Sequence, residues 1–327
     1  MSETKLPRWA VLGTGVIANQ MAQALESMGR TLDAVGNRTY EKGVAFAEKY
    51  GVKKVYKDYD EMFTDPDIDI IYITTPHNTH AAFLEKALSN GKHVLCEKSI
   101  TLNSEELERA KQLAKENNVV LAEAMTIYHM PLYRTLVERV KSGELGRVNL
   151  VQMNFGSFKD YNMKNRFFNR SLAGGAMLDI GVYALSLARL FLEGTPDQVQ
   201  SFVVKAPTGV DESSVSILTN PENQLVSMTL SLHSKQPKRA VISCEKGYIE
   251  IMEYPRADEA VIVNAETGEK EIVKAGRTAD ALRYELEDME KAVLEGEDML
   301  LQNTSDVMDL MTRLRKDWNV TYPEEEA

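Results

Sequence analysis

The sequence is poor in cysteine and in long apolar runs. Of its 327 residues two are cysteines, Cys96 and Cys244, which lie far apart and form no CxxC pair. A disulfide framework or a metal site is therefore not expected. No stretch approaches the roughly 20 apolar residues of a membrane span, and the start, MSETKLPRWAVLG, lacks an apolar run of signal-peptide length. We expect a cytoplasmic chain without metal or membrane contact.

The chain also lacks an excess of positive charge. It has 38 Lys and Arg against 49 Asp and Glu, a net charge of −11, whereas nucleic-acid binding needs a basic face. Nucleic-acid binding is not expected, although a local basic pocket for a phosphate is compatible with this balance. With 43% hydrophobic and 27% charged residues the composition is that of a globular protein, and the length suits two domains.

Residues 1–124 alternate short apolar runs with amphipathic stretches such as NTHAAFLEKALSNG and SEELERAKQLAKENN. Alternating strands and helices predict a doubly wound parallel sheet, the Rossmann-type α/β fold. Gly29, Gly51 and Gly91 stand where helices are expected to end. The predicted strands are Trp9–Leu12, Leu32–Gly36, Ile68–Thr74, His93–Cys96 and Val119–Ala122.

Residues 125–327 have a different pattern of apolar and polar residues. Long alternating segments such as LVSMTLSLHS and EAVIVNAETGEKEIV predict strands separated by turns, hence an α+β domain with an open, mainly antiparallel sheet. VKSGELGRV at 140–148 is the connection into this sheet. Two helices are expected near Ala281–Glu295 and Thr304–Trp318, and the last of them is a candidate to pack back on the first domain.

A glycine loop follows the first predicted strand. Gly13, Gly15 and Ala18 have GxGxxA spacing in WAVLGTGVIANQ, between a strand and a helix. One glycine permits the tight turn, and the next lets the backbone approach a pyrophosphate at the helix N-terminus. The pattern predicts a dinucleotide site over residues 13–17, that is Gly13, Thr14, Gly15, Val16 and Ile17.

The residue after the second strand selects the dinucleotide. An acidic residue there binds the 2′-hydroxyl of NAD, and a basic one accepts the 2′-phosphate of NADP. The sequence reads LDAVGNRTYEKG, in which Asp33 stands too early and Arg38 occupies the expected place. NADP is therefore the predicted preference, with NAD as the alternative.

Three further segments carry a resemblance: TPHNTH, VLCEKS and GGAMLDIGVY. With them, the chain resembles the glucose-fructose oxidoreductase, inositol dehydrogenase and rhizopine-catabolism (Gfo/Idh/MocA) family over essentially its whole length. The branch with dimeric dihydrodiol dehydrogenase and aldose dehydrogenases is the most similar, because Tyr183 stands where many members have histidine. Members are mostly NAD(P)-dependent dehydrogenases or reductases of sugars, cyclitols and diols.

The resemblance implies roles for individual residues. Pro76, Asn78 and His80, with Thr75 beside them, would lie by the cofactor, and Glu97 and Lys98 match the family's Glu-Lys-Pro motif. The third motif position is Ser99 here, so the proline that would restrict the backbone of Lys98 is missing. Tyr128, His129 and Arg166 are candidates to line a substrate cleft.

The predicted chemistry rests on Lys98, Asp179 and Tyr183. Asp179 and Tyr183 are four residues apart and share a face if their segment is helical. Tyrosine has a reference pKa of about 10, which a neighbouring lysine cation lowers. We assign Tyr183 as general acid/base, Lys98 as its electrostatic partner and hydroxyl anchor, and Asp179 to orient the substrate or the lysine.

The sequence thus predicts an NAD(P)-dependent oxidoreductase that transfers hydride between nicotinamide and a CH–OH or C=O group. Its expected substrate is a sugar, a sugar derivative or a vicinal diol. The alternatives are a non-catalytic sugar- or nucleotide-sensing protein and a glycosidase that uses a tightly held nicotinamide. Because one face of the C-terminal sheet would stay uncovered, a homodimer, or a tetramer built from it, is expected through that sheet.

Overall fold

The computed structural model describes residues 6–326 and divides into two compact units. The first unit comprises the chain up to Thr101, Glu105–Ala124 and Leu282–Leu301. The second comprises Leu102–Ser104, Met125–Ala281 and the chain from Gln302 onward. The chain passes into the second unit after Ala124, and the later segment Leu282–Leu301 belongs to the first unit.

The first unit contains a parallel sheet with strand order β3-β2-β1-β4-β5-β6. The predicted Rossmann-type strands are confirmed, with ends that differ by up to two residues. β3 was not predicted because its three residues, which are only half-buried, form no apolar run in the sequence. The strands are Trp9–Leu12 (β1), Ala34–Gly36 (β2), Lys54–Tyr56 (β3), Ile70–Ile73 (β4), His93–Glu97 (β5) and Leu121–Ala124 (β6).

Helices connect these strands, and a later helix completes the core of the unit. Gly29, Gly51 and Gly91 all follow helices in the left-handed conformation, with φ near +70°, as predicted. The helices of this part, numbered in chain order, are Val16–Ser27 (α1), Tyr40–Tyr50 (α2), Tyr59–Thr64 (α3), His80–Ser89 (α4), Ser104–Glu116 (α5) and, much later in the chain, Ala281–Glu295 (α8).

Helix α8 supplies apolar side chains to the core of the first unit. Leu286 and Met289 are fully buried in the same cluster as Trp9. The indole Nε1 of Trp9 donates to Glu290 Oε1 at 2.7 Å, and Arg30 pairs with the same carboxylate at 2.7 Å. The polar atom of a large buried aromatic residue is therefore satisfied by α8.

The second unit contains an open sheet with strand order β14-β13-β12-β11-β7-β10-β9-β8. All neighbouring pairs are antiparallel apart from β7 and β10, which confirms the mainly antiparallel prediction. The strands are Val148–Gly156 (β7), Gln198–Lys205 (β8), Asp211–Thr219 (β9), Leu225–Ser231 (β10), Gln236–Cys244 (β11), Gly247–Met252 (β12), Glu259–Asn264 (β13) and Lys270–Lys274 (β14).

The two faces of this sheet differ in burial. In β10, Val226, Met228 and Leu230 are at most 2% exposed, whereas Leu225 is 46% exposed. The buried side faces the helices of the unit, of which Val182–Phe191 (α7) packs against β7. The remaining helices are Pro131–Lys141 (α6), Val182–Phe191 (α7) and Leu301–Asp317 (α9).

The helix that ends in α7 begins at Ala176, after a separate 3₁₀ turn over Arg170–Leu172. It includes a π-helical turn over Met177–Gly181. By length and composition alone, the stretch Arg170–Phe191 is long and apolar enough to cross a membrane. Of its most apolar 18 residues, however, 83% are buried within the protein, and a helix in the core of a unit requires the same hydropathy.

A buried carboxylate caps this segment. Asp211, the first residue of β9, is fully buried, and its Oδ2 accepts a hydrogen bond from the backbone N–H of Met177 at 2.6 Å. Within residues 6–326 its Oδ1 has no hydrogen-bond partner. Burial raises the pKa of Asp211 to about 7, against the opposing effects of the Met177 N–H and the Arg315 cation. The segment therefore begins on a carboxyl group that titrates near neutrality.

This burial predicts a pH-dependent stability. Because the pKa of Asp211 is higher in the folded than in the unfolded state, its contribution is greatest at acidic pH and is lost as the pH rises towards 7. The free energy of unfolding of the wild type, relative to Asp211→Asn, should fall by about 3 kcal/mol between pH 5 and pH 8. Arg315 and Tyr322 are the titratable groups that act on this carboxyl, and both are retained in the variant.

Denaturant unfolding at several pH values measures this difference. Asp160→Asn is the control, because the exposed Asp160 side chain keeps its hydration in both states. The proposed titration of Asp211 is contradicted if the difference in unfolding free energy between the wild type and Asp211→Asn stays constant from pH 5 to pH 8.

Candidate functional site

The predicted site residues of the first unit all follow the carboxyl ends of parallel strands. β1 and β4 are neighbours, but the chain leaves them towards opposite sides of the sheet. The crevice beyond this switch point is where open α/β sheets bind their ligands. The loops after β1, β2, β4 and β5 hold the glycines, Arg38, the TPHNTH segment and the Glu97-Lys98 pair.

Gly13 is required by the fold itself. Its φ is +109°, and a Cβ at this position would lie 2.7 Å from Thr74 Oγ1. Its N–H donates to Gly36 O at 2.8 Å, which holds the turn against β2. A side chain here would both strain the backbone and clash with the residue that follows β4.

Gly15 is not required by the protein's own packing. Its φ of −74° is available to any residue, and no atom lies within 4 Å of the position that a Cβ would take. It precedes α1, whose first turn has neither a side-chain cap nor an acidic residue. The backbone thus leaves open space beside unpaired N–H groups at a helix N-terminus, which fits a dinucleotide pyrophosphate.

The other residues of the loop flank this space. Thr14 Oγ1 donates to Asn37 Oδ1 at 3.2 Å and so joins the loops after β1 and β2. Val16 is 74% exposed in spite of its apolar side chain, and Ile17 is half-buried against the core. The exposed Val16 is compatible with a surface that a ligand covers.

Arg38 lies two residues beyond the end of β2. Its side chain is exposed, and within the part of the chain that the structure describes no hydrogen bond or ion pair engages its guanidinium. It contributes a positive potential at Tyr59, whose pKa is nevertheless raised, chiefly by burial. A full set of guanidinium donors is thus available at the predicted position for a 2′-phosphate.

His80 joins the loops after β4 and β5. It is completely buried; its Nε2 lies 2.8 Å from Thr75 O and its Nδ1 3.0 Å from Ser99 O. Burial lowers the pKa of His80, while the two carbonyls act in the opposite sense. A neutral imidazole has one N–H, so it donates to one carbonyl at a time. Both ring nitrogens face the backbone, so His80 shapes these loops from within.

The segment VLCEKS begins as a buried strand and ends in two charged residues that the structure holds in place. Glu97, the last residue of β5, accepts a hydrogen bond of 2.5 Å from the Tyr72 hydroxyl. The carbonyl of Lys98 contacts His77 Nε2 at 3.0 Å, and the Lys98–Ser99 peptide bond is cis. Tyr72 and His77 therefore hold the Glu97 carboxylate and the backbone of Lys98 at the carboxyl edge of the sheet.

Sequence reasoning missed two residues that position this pair, His77 and Tyr72. His77 lies in the same TPHNTH segment as three selected residues, so its proximity was the available signal. Tyr72 carries no such signal, because it reads as one apolar member of the strand IIYI.

In the second unit, Asp179 and Tyr183 lie on consecutive turns of one helical segment, as predicted. Asp179 is 8% exposed within the π-helical turn, and Arg166 NH1 lies 3.6 Å from its Oδ1. The Arg166 guanidinium also packs over the Phe167 ring, 4.1 Å from the centroid. Of the three cleft candidates, Arg166 reaches a predicted site residue, whereas Tyr128 and His129 are buried at 4% and 3% exposure.

Tyr183, in the first turn of α7, forms part of the wall of a cavity of about 500 Å³ in the second unit. Its ring lies 6.2 Å from that of Phe155 on β7. The fully buried Tyr254 is also close to Tyr183. Burial is the main cause that raises the pKa of Tyr254, and the electrostatic effect of Tyr183 raises it further. Tyr183 therefore has one aromatic neighbour on the sheet and a second on the turn after β12.

Comparison with known proteins identifies the family of both units. The family model "Oxidoreductase family, NAD-binding Rossmann fold" of Gfo/Idh/MocA proteins matches residues 7–125, and the C-terminal domain model of the same family matches residues 133–250. A trans-1,2-dihydrobenzene-1,2-diol dehydrogenase of Mus musculus is 30% identical over 263 residues, which are 79% of this chain and 78% of the relative.

Solved structures share the fold. An aldose-aldose oxidoreductase of Caulobacter crescentus, complexed with glycerol, has a TM-score of 0.86 and 23% identity, and the match covers 96% and 98% of the two chains. KijD10, a 3-ketoreductase of Actinomadura kijaniata in complex with NADP and TDP-benzene, has a TM-score of 0.85 and 23% identity over 95% and 98%.

Within residues 6–326 the structure contains no group of three or more His, Cys, Asp or Glu side chains that could hold a metal ion. The family models match the nucleotide-binding Rossmann domain and the α+β domain that follows it. The chain belongs to the Gfo/Idh/MocA family of NAD(P)-dependent oxidoreductases.

Proposed function

We propose that the protein prefers NADP(H) and transfers hydride between its nicotinamide and the carbinol or carbonyl carbon of a sugar, a sugar derivative or a vicinal diol. The observation that carries the proposal is the open space at Gly15, which the fold does not need and a pyrophosphate would fill. Gly13, Thr14, Gly15, Val16 and Ile17 would hold the pyrophosphate, and Arg38 the 2′-phosphate. Bound NADP supplies the hydride acceptor or donor.

Further residues would support the cofactor from the loops after β4 and β5. We propose that Thr75, Pro76 and Asn78 contact it, with Glu97 and Lys98 at the neighbouring strand end. His80 would act through the two loops that it joins, because its own ring nitrogens face backbone carbonyls.

The proposed chemistry moves one proton through protein groups. In oxidation, Tyr183 takes the hydroxyl proton while the C–H bond breaks with its electron pair, and the substrate becomes a carbonyl compound. Lys98 holds the reacting oxygen and favours the phenolate, and Asp179 orients the substrate or the lysine. Reduction runs the same steps in reverse, with Tyr183 as the acid.

Two free thiols support a reducing location. Cys96 is buried, Cys244 is half-buried, and neither forms a disulfide. Free cysteines are the usual state of cytosolic proteins, so we propose a cytoplasmic location.

Arg38→Ala tests the cofactor preference. A hydrogen bond to a charged group contributes about 1.5–3 kcal/mol, so the variant should bind NADP at least about tenfold more weakly and NAD unchanged. Fluorescence titration with both dinucleotides measures this. Arg109→Ala, an exposed arginine paired with Glu85, is the control. Equal affinities of wild type and Arg38→Ala for NADP would refute the assignment.

Tyr183→Phe and Lys98→Met test the chemistry. Each should lower turnover by about 10²–10⁴ and leave NADP affinity within a few-fold, because general acid–base groups act on the reaction rather than on dinucleotide binding. Absorbance at 340 nm across sugars, inositols and diols measures turnover, and release of reduced cofactor separates a dehydrogenase from a glycosidase. Tyr248→Phe, a half-buried tyrosine of β12, is the control. Near-normal turnover of Tyr183→Phe across pH would assign the proton to another group.

We also propose that the outer face of the C-terminal sheet pairs with a second copy of the chain, as a homodimer or a tetramer built from it. Phe202, Val215 and Ile217 are 83%, 47% and 53% exposed, and Phe202 pairs directly with Val215 across β8 and β9. Such an apolar patch on one face suits an isologous two-fold interface.

Light scattering at micromolar concentration tests this assembly. The wild type should have the mass of a dimer or tetramer, and Phe202→Asp combined with Ile217→Asp should shift it to the monomer, because charges would be buried in the contact. Leu294→Asp, a 43% exposed leucine of α8, is the control and should not change the mass. A monomeric wild type would refute the proposal.

A further inference from the structure

The cavity beside Tyr183 has a charged wall that the proposed reaction does not use. It lies where β11 begins, β12 ends and β13 begins. Phe155 and Tyr183 supply its aromatic surface. Its ionisable lining residues are Lys238, Glu250, Glu253, Arg256, Asp258 and Glu259.

Four of these six residues form ion pairs, and the other two, Arg256 and Asp258, carry opposite charges. Lys238 Nζ lies 2.8 Å from Glu253 Oε2, Arg239 pairs with Glu250 at 2.5 Å, and Lys274 pairs with Glu259 at 2.6 Å. The cavity is therefore not a strong attractor for either sign of charge. The cavity instead offers hydrogen-bond donors and acceptors next to the rings of Phe155 and Tyr183.

The Lys238–Glu253 pair is linked to Tyr183 through the ring of Phe155. Lys238 Nζ lies 5.3 Å from the centre of the Phe155 ring, and that ring lies 6.2 Å from the ring of Tyr183. A substrate whose reacting carbon is at Tyr183 would therefore place its more distant atoms over Phe155 and next to Lys238. The contacts run from Tyr183 through Phe155 to the pair Lys238–Glu253.

Glu253 adopts an unusual backbone conformation for its position in this wall. Its φ is +49° and its ψ is +40°, in the left-handed region that glycine and asparagine occupy more readily. Residues held there cluster at ligand sites, since the surrounding structure must compensate their strain. The carboxylate is 67% exposed, so the conformation does not serve to bury it.

We propose that the Lys238–Glu253 pair determines substrate specificity by hydrogen bonding to hydroxyl groups beyond the reacting carbon. This inference rests on the proposed function. The ammonium group has three donors and the carboxylate two acceptor oxygens, so their mutual contact leaves both able to bind hydroxyls. A polyhydroxylated sugar supplies such groups, whereas the hydrocarbon ring of a cyclohexadiene diol would cover the pair and leave it desolvated without partners.

The test compares sugars with a ring diol in two variants. Lys238→Met keeps an apolar stem over Phe155, and Glu253→Gln keeps the size of the side chain. In both, the KM for D-glucose, D-xylose or myo-inositol, whichever the wild type uses, should rise at least about tenfold, with kcat within about threefold. The kcat/KM for trans-1,2-dihydrobenzene-1,2-diol should stay the same or rise.

Arg147→Met is the matched control, because Arg147 pairs with Glu193 at 3.7 Å and does not line the cavity. Calorimetric titration of the same sugars into the NADP-loaded protein gives a readout independent of turnover. The affinity should fall in Lys238→Met and Glu253→Gln and not in Arg147→Met, with equal thermal melting showing that all the variants fold.

The outcomes separate the two proposals. Unchanged sugar KM and affinity in both variants, or equal losses for sugar and diol, overturn the role of the pair while hydride transfer stands. A wild type that turns over the diol but neither binds nor turns over any of the three sugars does the same. A wild type that binds a sugar through the pair but never changes the absorbance at 340 nm overturns hydride transfer alone.

Discussion

The common direction of the strands is the constraint on which the nucleotide site depends. Because β1, β2, β4 and β5 run parallel, the loop after each emerges at the same edge of the sheet. Residues far apart in the chain, from Gly13 to Lys98, are therefore brought to one edge of the sheet. Two links then set the loops relative to one another: the half-buried Thr14–Asn37 hydrogen bond, and the buried His80 between Thr75 and Ser99.

A different constraint organises the second unit. Its sheet is amphipathic, so one side buries Val226 and Met228 beneath the helices and the other presents Phe202 and Ile217 to the surroundings. The segment with Asp179 and Tyr183 begins at a buried carboxylate and lies along the covered side. The burial that raises the pKa of Asp211 also excludes water from the hydrogen bond between the Met177 N–H and the Asp211 carboxylate. This exclusion strengthens the bond and so stabilises the start of the helix.

Much of this arrangement could be predicted from sequence, because periodicity and glycine spacing report local structure. Strand positions, the glycine loop, the placement of Arg38 and the shared helix of Asp179 and Tyr183 follow from patterns a few residues long. Long-range contacts leave no such pattern. Nothing near Tyr72 indicates Glu97, nothing near Asp211 indicates Met177, and Lys238 and Glu253 read as ordinary polar residues.

The placement of α8 has a consequence for how the chain is made. The core around Trp9 lacks Leu286 and Met289 until the whole of Met125–Ala281 has been synthesised. At about 5–20 residues per second, a ribosome needs roughly 10–30 s for that interval. During this time the nascent parallel sheet has an uncovered apolar patch and a tryptophan N–H without its carboxylate. The first unit can thus complete its core only late in translation, although most of its residues are synthesised first.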